Sequence, residues 1–303
     1  MTSVFVVILN WNGKEDTIEC LQSLKKLQVR NFNYQAVVVD NGSSDDSVKE
    51  ITKRYRDVVV MENEENLGFT GGNNIGIRFA LKRGADFVLI LNNDTIVDRD
   101  LVVRLLEIAG KHQDTGIFSP KIYFAPGFEF HKGRYNPGVE GKVLWYAGGK
   151  MDWNNVLGEN RGVDEVDRGQ YEKAEEIDFA TGACMFIRRD VLKKVGLFDE
   201  RYFMYFEDAD LSQRTREAGW KVMYTPGAYI WHKVARSSAI GSSLNDYFIT
   251  RNRLLFGMKY TSLRTKFALL RETFRFLSLG RKWQRQGVLD FYLGRFGKGS
   301  FKN

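Results

Sequence analysis

One apolar segment that ends abruptly in polar residues constrains the fold most. Residues 86–91 read Asp-Phe-Val-Leu-Ile-Leu, and Asn92-Asn93-Asp94 follows directly. A short apolar run of this kind is typical of a strand buried on both faces, as in a mostly parallel sheet covered by helices. Such sheets bind ligands just beyond the carboxyl ends of their strands. We therefore expect a ligand site at Asn92-Asn93-Asp94.

Strand-like and helix-like segments alternate along the first 111 residues. The pattern predicts strands at 4–9, 36–39, 58–61 and 86–92, and helices at 16–27, 46–56, 74–83 and 100–111. Alternation at this period implies right-handed β-α-β units and therefore a parallel sheet.

The second half of the chain is less regular. Residues 118–178 combine many glycines with scattered tyrosines and tryptophans, which predicts short strands and long loops that form one wall of a cleft. The pattern then predicts a strand at 179–188, helices at 190–195 and 207–218, and a short strand at 229–231 that ends at His232. From about residue 243 the chain is predicted to be mainly helical.

The composition indicates a globular protein with a substantial core. A chain of 303 residues that is 43% hydrophobic can bury one large core or two modest ones. Cys20 and Cys184 lie in apolar segments and match no metal-ligand spacing, so we expect free, buried thiols in a reducing compartment. There is no pattern of a signal peptide and no apolar run of about 18 residues. We therefore expect a cytoplasmic protein that is soluble or peripheral to a membrane.

The net charge of +7 is unevenly distributed. Residues 251–303 contain 13 Lys and Arg against two acidic residues, a net +11 that leaves −4 on the first 250 residues. This basic segment is also rich in Phe, Leu, Trp and Tyr, and such an asymmetry indicates a partner.

Two segments of the first half could contact a nucleotide. Asp40 ends a predicted strand, where its carboxylate can accept hydrogen bonds from a pyrimidine N3–H or a ribose hydroxyl. Asp40 and Asn41 can equally serve only to form the turn. Residues 66–73 are rich in glycine and could let the backbone approach a ligand. They do not form G-x-G-x-x-G, and their place after the third strand argues against a Rossmann dinucleotide site.

Acidic residues suggest two further roles. Asn92-Asn93-Asp94 can hold a hard divalent cation and through it a diphosphate, or can be only a polar strand end.

Glu207-Asp208-Ala209-Asp210 begins a predicted helix, where acidic side chains interact favourably with the helix dipole. Crowded carboxylates also raise one another's pKa, so one of them can act as a general base. A lone His232 is more often structural than a ligand, and His112 and His131 receive no role.

An ordered series of motifs resembles the family 2 glycosyltransferases, over about residues 3–255. It is closest to the rhamnosyltransferase-like branch that builds bacterial cell-surface polysaccharides. The matching motifs are Val6-Val7-Ile8-Leu9-Asn10-Trp11-Asn12, Val39-Asp40-Asn41-Gly42-Ser43-Ser44-Asp45, Asn66-Leu67-Gly68-Phe69, Leu91-Asn92-Asn93-Asp94, Phe198-Asp199-Glu200 and Glu207-Asp208-Ala209-Asp210-Leu211.

The resemblance implies an α/β protein with the GT-A fold and an inverting, metal-dependent transfer from a nucleotide sugar. Asp208 matches the catalytic base, and Glu207 lies on the acceptor side. Asp94 matches the carboxylate that holds Mg²⁺ or Mn²⁺, and His232 matches a histidine that completes the metal site in some relatives. The nucleotide-sugar site would comprise Asn10, Asn12, Asp40, Asn41, Gly68, Asn73, Asn92, Asn93, Gly182 and Ala183.

The chain departs from the family pattern at one position. Asn92 replaces the first aspartate of the D-x-D motif, which removes one anionic ligand. We therefore expect a modest affinity for the metal and a correspondingly critical Asp94.

The resemblance also suggests a domain organisation and partners. Residues 1–242 would form the catalytic domain, with a nucleotide-binding half at 1–115 and an acceptor-side half at 116–242. Residues 243–303 would form a helical, basic C-terminal segment. Family acceptors are often lipid-linked saccharides on the anionic inner leaflet, and mixed basic and apolar residues suit an interfacial helix. The alternative is a helix that packs on the catalytic domain with a solvated basic face. No nucleic-acid-binding module is recognisable.

The leading hypothesis is an inverting glycosyltransferase that uses a dTDP- or UDP-sugar. A sugar nucleotidyltransferase would also combine a metal, a nucleotide and a parallel sheet, but the early loop offers only Lys14 for phosphate. A non-catalytic module that binds saccharide or membrane is a third class, against which the carboxylates at 94 and 208 argue. Rhamnose rests on the resemblance alone, and galactofuranose, glucose and other hexoses stay open, as do the acceptor and the oligomeric state.

Overall fold

The structure, a computed structural model, describes residues 1–135, 138–234 and 241–302. The end of the predicted catalytic domain, residues 235–240, therefore lies outside the described residues. The strands of the described ranges are β1 (Thr2–Asn10), β2 (Phe32–Asp40), β3 (Val59–Glu62), β4 (Phe87–Asn92), β5 (Thr95–Val97), β6 (Thr115–Phe124), β7 (Leu144–Tyr146), β8 (Gly149–Asp152), β9 (Leu157–Asn160), β10 (Glu175–Glu176), β11 (Cys184–Arg188) and β12 (Lys221–His232). The helices are α1 (Lys14–Leu24), α2 (Ser47–Arg54), α3 (Gly68–Lys82), α4 (Leu101–Lys111), α5 (Arg189–Val195), α6 (Glu207–Glu217), α7 (Ser243–Tyr260), α8 (Leu263–Leu279) and α9 (Lys282–Tyr292).

A single large sheet forms the centre of the molecule. Its strand order is β3-β2-β1-β4-β11-β6-β12-β10, with β5 paired to β12 and β7 paired to β6. Strands β3, β2, β1, β4, β6 and β12 run in one direction, and β11 and β10 run against them. The predicted α/β fold with a mostly parallel sheet is confirmed.

The central strands are buried on both faces, as their uninterrupted apolar runs predict. Val88, Leu89 and Ile90 of β4 have no exposed surface, and neither do Val6 and Val7 of β1. Helices cover both faces of a parallel sheet, so each side chain of these strands meets a helix or another strand.

The glycine-rich segment forms the first turns of α3, so the prediction that this helix starts after residue 73 is wrong. A Cβ atom at Gly72 would lie 2.2 Å from Leu9 Cδ1, and one at Gly76 would lie 2.4 Å from Val7 Cγ1. The glycines therefore bring the helix unusually close to β1, and the helix begins as early as Gly68.

Strands β6 and β12 are longer than the sequence pattern predicts. Strand β6 is regular and buried across residues that were predicted to be irregular. Its polar Lys121 is 2% exposed because its Nζ lies 2.7 Å from Asp167 Oδ2 and also meets Glu172. Strand β12 begins at Lys221 rather than at 229, and a register shift between Thr225 and Tyr229 hides its continuity. Strand β11, by contrast, begins at Cys184 rather than at 179.

The C-terminal helices pack against the first part of the chain. Leu254 and Phe256 of α7 and Leu269 of α8 share an apolar cluster with Val156 and Tyr202. The predicted helical character after residue 243 is confirmed, whereas the division into domains at 242/243 stays a prediction.

Two further expectations concern the thiols and the membrane. Cys20 and Cys184 are free and buried, as predicted. Burial raises the pKa of Cys20 to about 12, so the thiol is unreactive. Within the described ranges, no helix is both long and apolar enough to cross a bilayer.

Candidate active site

The candidate site begins where three neighbouring parallel strands end. Asn10, Asp40 and Asn92 are the last residues of β1, β2 and β4, and Asn10 lies opposite Asp40 in the register of the sheet. Asn10 Nδ2 donates a hydrogen bond of 2.7 Å to Asp40 Oδ1. The structure therefore brings these predicted site residues together at one edge, as the parallel topology requires.

Asp40 and Asn12 both hold the turn that follows β2. Ser43 donates from its backbone N–H and its hydroxyl to the Asp40 carboxylate, at 2.9 and 2.7 Å. Asn12 has a positive φ of 52°, and its Oδ1 accepts from the backbone N–H of Ser44 at 2.8 Å. Asp40 is 3% exposed. The turn-forming role that the sequence left open for Asp40 is therefore present.

Asn41 ties the same strand end to the start of α3. Its Nδ2 donates to Gly68 O at 3.1 Å, and its Oδ1 accepts from the backbone N–H of Leu67 at 3.2 Å. Gly68 has φ +73°, and a Cβ atom there would lie 2.5 Å from the Phe203 ring. Asn73 is 1% exposed, and its Nδ2 donates to Phe69 O at 2.9 Å.

A cavity of about 250 Å³ opens at this edge of the sheet. Of the predicted residues, Asn41, Gly68, Asn92, Asn93 and Asp94 line it, whereas Asn10 and Asp40 are buried and do not line it. The rest of the lining is mainly apolar: Leu9, Trp11, Asn66, Phe69, Phe203, Met204, Leu244, Phe248, Lys298 and Phe301. A mostly apolar cavity with a few convergent polar groups is typical of a small-molecule site.

Asp94 lines this cavity and lies beside His232, because the end of β12 pairs with β5. His232 Nε2 lies 3.0 Å from Asp94 Oδ1, at an angle that leaves the oxygen without a hydrogen bond among the described residues. Burial acts to raise the pKa of Asp94, but the proximity of His232 and Lys233 outweighs it and the pKa is lowered. The Trp145 ring packs edge-on against His232, 4.7 Å between centroids.

The Asp94–His232 pair fits part of a metal site. A carboxylate and an imidazole are both ligands for Mn²⁺, and a buried carboxylate oxygen without a hydrogen bond is free to accept a cation. Nowhere in the described ranges do three or more His, Cys, Asp or Glu side chains cluster to hold a metal. A cation bound here would therefore take its other ligands from phosphate and water, as Mg²⁺ commonly does.

Glu207 and Asp208 occupy the first turn of α6 in different environments. Asp208 accepts hydrogen bonds from the backbone N–H of Gly182 at 3.0 Å and of Ala209 at 2.8 Å. Glu207 is 5% exposed, and its Oε2 has no hydrogen-bond partner among the described residues. Burial raises the pKa of Asp208, and burial together with the Asp208 charge raises that of Glu207 well above its ordinary value.

The turn at residues 181–183 connects the two acidic positions. The backbone N–H of Asn92 donates to Ala183 O at 3.0 Å, and a Cβ atom at Gly182 would lie 3.0 Å from the Phe69 ring. Asn92 and Phe69 line the cavity that contains Asp94, and Gly182 bonds Asp208. Asp208 does not line the cavity, but the turn at residues 181–183 links it to Asn92 and Phe69, which do.

Sequence reasoning missed the residues that hold the loop before α6. Phe203, Tyr205 and Phe206 all have positive φ, between 65° and 71°, a conformation that costs free energy for bulky residues. Asn252 is fully buried, and its Nδ2 donates to the carbonyls of Tyr202, Met204 and Tyr205 at 2.8, 2.7 and 2.9 Å.

The fully buried Arg251 donates to Tyr202 O at 3.0 Å and supports the same loop. In the sequence, these residues appear only as a polar run, Arg251-Asn252-Arg253, in a helix of mixed polar and apolar residues. This run has no spacing relative to other motifs that would identify its role. The cavity residues Leu244, Phe248, Lys298 and Phe301 also lie beyond residue 243, where no site residue was predicted.

Comparison with solved structures defines the fold. The chain superimposes on GalNAc-T7 in complex with UDP, GalNAc and Mn²⁺ with a TM-score of 0.63, at 17% identity over 97% of this chain and 57% of that one. It superimposes on S. aureus TarS in complex with UDP-GlcNAc with a TM-score of 0.59, at 16% identity over 96% of this chain and 79% of that one. Together they confirm the predicted GT-A fold.

The chain belongs to the family described as Glycosyltransferase like family 2, whose profile it matches over residues 2–257. It is 29% identical to N-acetylglucosaminyl-diphospho-decaprenol L-rhamnosyltransferase of Mycobacterium tuberculosis over 215 residues, 67% of each chain. It is also 25% identical to the rhamnosyltransferase WbbL of Escherichia coli K12, over 76% of this chain and 83% of that protein. The predicted family and the predicted glycosyltransferase activity are confirmed, in preference to a sugar nucleotidyltransferase or a non-catalytic module.

Proposed function

We propose that the protein transfers a sugar, rhamnose in the first instance, from a dTDP- or UDP-sugar to a lipid-linked saccharide with inversion. One observation carries the proposal. A cavity at the carboxyl ends of parallel strands is lined by Asp94, which lies beside His232, and the turn at residues 181–183 links this lining to Asp208 of α6. Rhamnose and the lipid-linked acceptor are suggested by the mycobacterial and E. coli relatives. Uridine nucleotides are suggested by the UDP-containing structural neighbours.

The donor's diphosphate is proposed to bind beside Asn92, Asn93 and Asp94. Asp94 and His232 would hold Mg²⁺ or Mn²⁺, and Mn²⁺ is present in the GalNAc-T7 complex. A bound divalent cation would stabilise the negative charge that develops on the leaving diphosphate. Asp40, Asn10, Asn12, Asn41, Gly68 and Asn73 would shape the nucleotide half of the site, and Gly182-Ala183 the sugar half.

Asp208 is proposed as the general base. Two backbone N–H groups favour its ionised form. Burial and the neighbouring Asp208 charge raise the pKa of Glu207 well above its ordinary value, which makes Glu207 the weaker candidate for an ionised base. An ionised Asp208 can accept the proton of an acceptor hydroxyl that attacks the anomeric carbon opposite the leaving diphosphate. A single carboxylate acting in this way gives inversion without a covalent intermediate, by analogy with inverting glycosidases. Glu207 would line the acceptor side.

The outer surface of α8 is proposed to contact the membrane that carries the acceptor. Phe267 and Phe274 lie two helical turns apart and are both 69% exposed, and Leu263 is 73% exposed. Arg264 and Arg271 are exposed on the same helix. Bulky apolar side chains among cations suit the interface of an anionic leaflet. The protein would then work at the inner face of the cell membrane.

The proposal is tested by incubating the protein with dTDP-rhamnose or UDP-sugars, Mn²⁺ or Mg²⁺ and a lipid-linked saccharide. We expect one donor to release free nucleoside diphosphate together with an extended lipid-linked product. Chelation with EDTA should abolish the reaction, and added metal should restore it. Release of pyrophosphate, or no turnover with any donor, would contradict the proposal.

A further inference from the structure

We propose that the end of the chain forms a wall of the donor cavity and that Lys298 binds the donor's diphosphate. This inference rests on the proposed function. It concerns residues 295–301, here called the C-terminal strap, which lie beyond the part of the chain that matches the family profile. Lys298 and Phe301 of the strap line the same cavity as Asn92, Asn93 and Asp94.

The strap is anchored firmly at its distal end. Ser300 donates from its backbone N–H to Asp290 Oδ2 at 2.8 Å and from its hydroxyl to Asp290 Oδ1 at 3.0 Å. Phe301 is 7% exposed and packs against Tyr247, Phe248 and Trp283, with ring centroids 5.5, 5.4 and 4.8 Å apart. Aromatic contacts of this kind add to the free energy of burial.

The strap is also held on the side before Lys298. The backbone N–H of Gly297 donates to Arg201 O at 2.9 Å, and that of Arg295 donates to Asp290 O at 2.8 Å. Gly299 has φ +56°, and a Cβ atom there would lie 2.1 Å from the Tyr247 hydroxyl. The backbone is therefore fixed on both sides of Lys298, which places this side chain at the cavity rather than leaving it on a free tail.

The charges around the cavity leave Lys298 available for an anion. It forms no ion pair with a carboxylate in the described ranges, unlike Lys233 and Lys259. It is the lone Lys or Arg among the residues that line this cavity in the described part of the chain. Asp94, the carboxylate in the same lining, already faces His232.

A diphosphate between Lys298 and the Asp94 side of the cavity would meet positive charge from the strap. Lysine binds phosphate as a point charge with three rotatable donors. Hydrogen bonds to charged groups contribute enough that losing one weakens binding about tenfold or more. Because Lys298 is exposed, we expect its loss to weaken binding about tenfold, the lower end of this range. The contribution of Lys298 to binding should fall as the salt concentration rises.

The test compares the unaltered protein with Lys298→Ala, Lys298→Arg and Lys302→Ala. Lys302 is an exposed lysine of the same tail and serves as the matched control. Calorimetry with Mn²⁺ measures the affinity for UDP, dTDP and the corresponding monophosphates, and thermal unfolding checks that each variant is folded. We expect Lys298→Ala to weaken nucleoside diphosphate binding about tenfold at low salt. The loss should be smaller for the monophosphate, and Lys298→Arg and Lys302→Ala should bind like the unaltered protein.

The outcomes separate this inference from the proposed function. If the unaltered protein binds UDP or dTDP and folded Lys298→Ala binds it equally well, Lys298 is a solvated surface lysine and the inference alone falls. An equal loss for monophosphate and diphosphate would also overturn it. If the unaltered protein binds neither nucleotide, the proposed function fails and this inference fails with it.

Discussion

Two adjacent carboxyl groups of α6 differ in their hydrogen bonds, and this difference bears on which of them can act as a base. Asp208 receives two backbone hydrogen bonds and Glu207 Oε2 receives none. Asp208→Asn keeps the size of the side chain but removes the base. General-base catalysis contributes about 10²–10⁴-fold, so we expect kcat to fall by that factor with donor binding retained.

The control for this variant is Asp190→Asn, at an exposed acid on α5. The pH profile of the unaltered protein gives a second readout. Burial raises the pKa of Asp208, so activity should be lost on acidification at a higher pH than an ordinary aspartate would allow. An Asp208→Asn variant with kcat near that of the unaltered protein would show that another group takes the proton.

Glu207 should make the stability of the protein depend on pH. Its pKa in the folded protein is raised well above the ordinary 4.5, so the folded state keeps a proton that the unfolded state has lost. The free energy of unfolding therefore falls as pH rises from about 4.5 towards the folded-state pKa. In Glu207→Gln we expect a shallower decline between pH 5 and pH 8. Urea unfolding at both pH values measures it, and parallel pH dependences would contradict it.

At the scale of the elements, helix α7 holds the loop that precedes α6 through hydrogen bonds. Asn252→Ala removes three hydrogen bonds to carbonyls of the loop that contains the positive-φ residues Phe203, Tyr205 and Phe206. Leaving buried carbonyls unpaired costs about 1–3 kcal/mol. We expect that loss of stability together with a lower kcat, because the loop can then relax and displace Glu207 and Asp208. Asn154→Ala, at an exposed loop position, should change neither quantity. Unaltered stability and kcat in Asn252→Ala would rule out this role.

Helix α3 depends on glycine for its distance from the sheet. Gly76→Ala would place a Cβ atom 2.4 Å from Val7 Cγ1, and overpacking of this kind costs about 1–3 kcal/mol. Gly110→Ala in α4 meets nothing within 4 Å, so it should instead stabilise the protein by about 0.5–1 kcal/mol. Chemical unfolding of the two variants measures both effects. The same sign for both would contradict this account of α3.

For the molecule as a whole, the basic C-terminal segment should decide whether the protein attaches to membranes. Phe267→Ser with Phe274→Ser removes apolar surface worth a few kcal/mol at an interface and leaves the charge unchanged. We expect at least tenfold weaker co-sedimentation with vesicles that contain phosphatidylglycerol. Vesicles of phosphatidylcholine alone should bind the unaltered protein weakly. Phe130→Ser, at an exposed aromatic outside this surface, is the control. Equal binding of all variants would place the contact elsewhere.

Much of the first half of the fold could be predicted from the sequence. Runs such as Val88-Leu89-Ile90 are apolar because both faces of β4 are covered, so local composition reports the tertiary environment directly. Strand β6 could not be predicted in this way. Its Lys121 is buried only because Asp167 and Glu172, more than 40 positions away, neutralise it.

The residues of the candidate site also fall into those that local sequence predicts and those that distant contacts bring to the site. Asn10, Asp40, Asn92 and Asp94 could be found because they directly follow apolar strands whose ends must meet at one edge of a parallel sheet. Asn252, Lys298 and Phe301 carry no such signal, because they reach the site through the packing of α7 and the C-terminal strap. Local apolar patterns thus define the strands and the polar residues at their ends. Contacts between segments far apart in the chain follow from how the helices fold back, and neighbouring residues do not encode them.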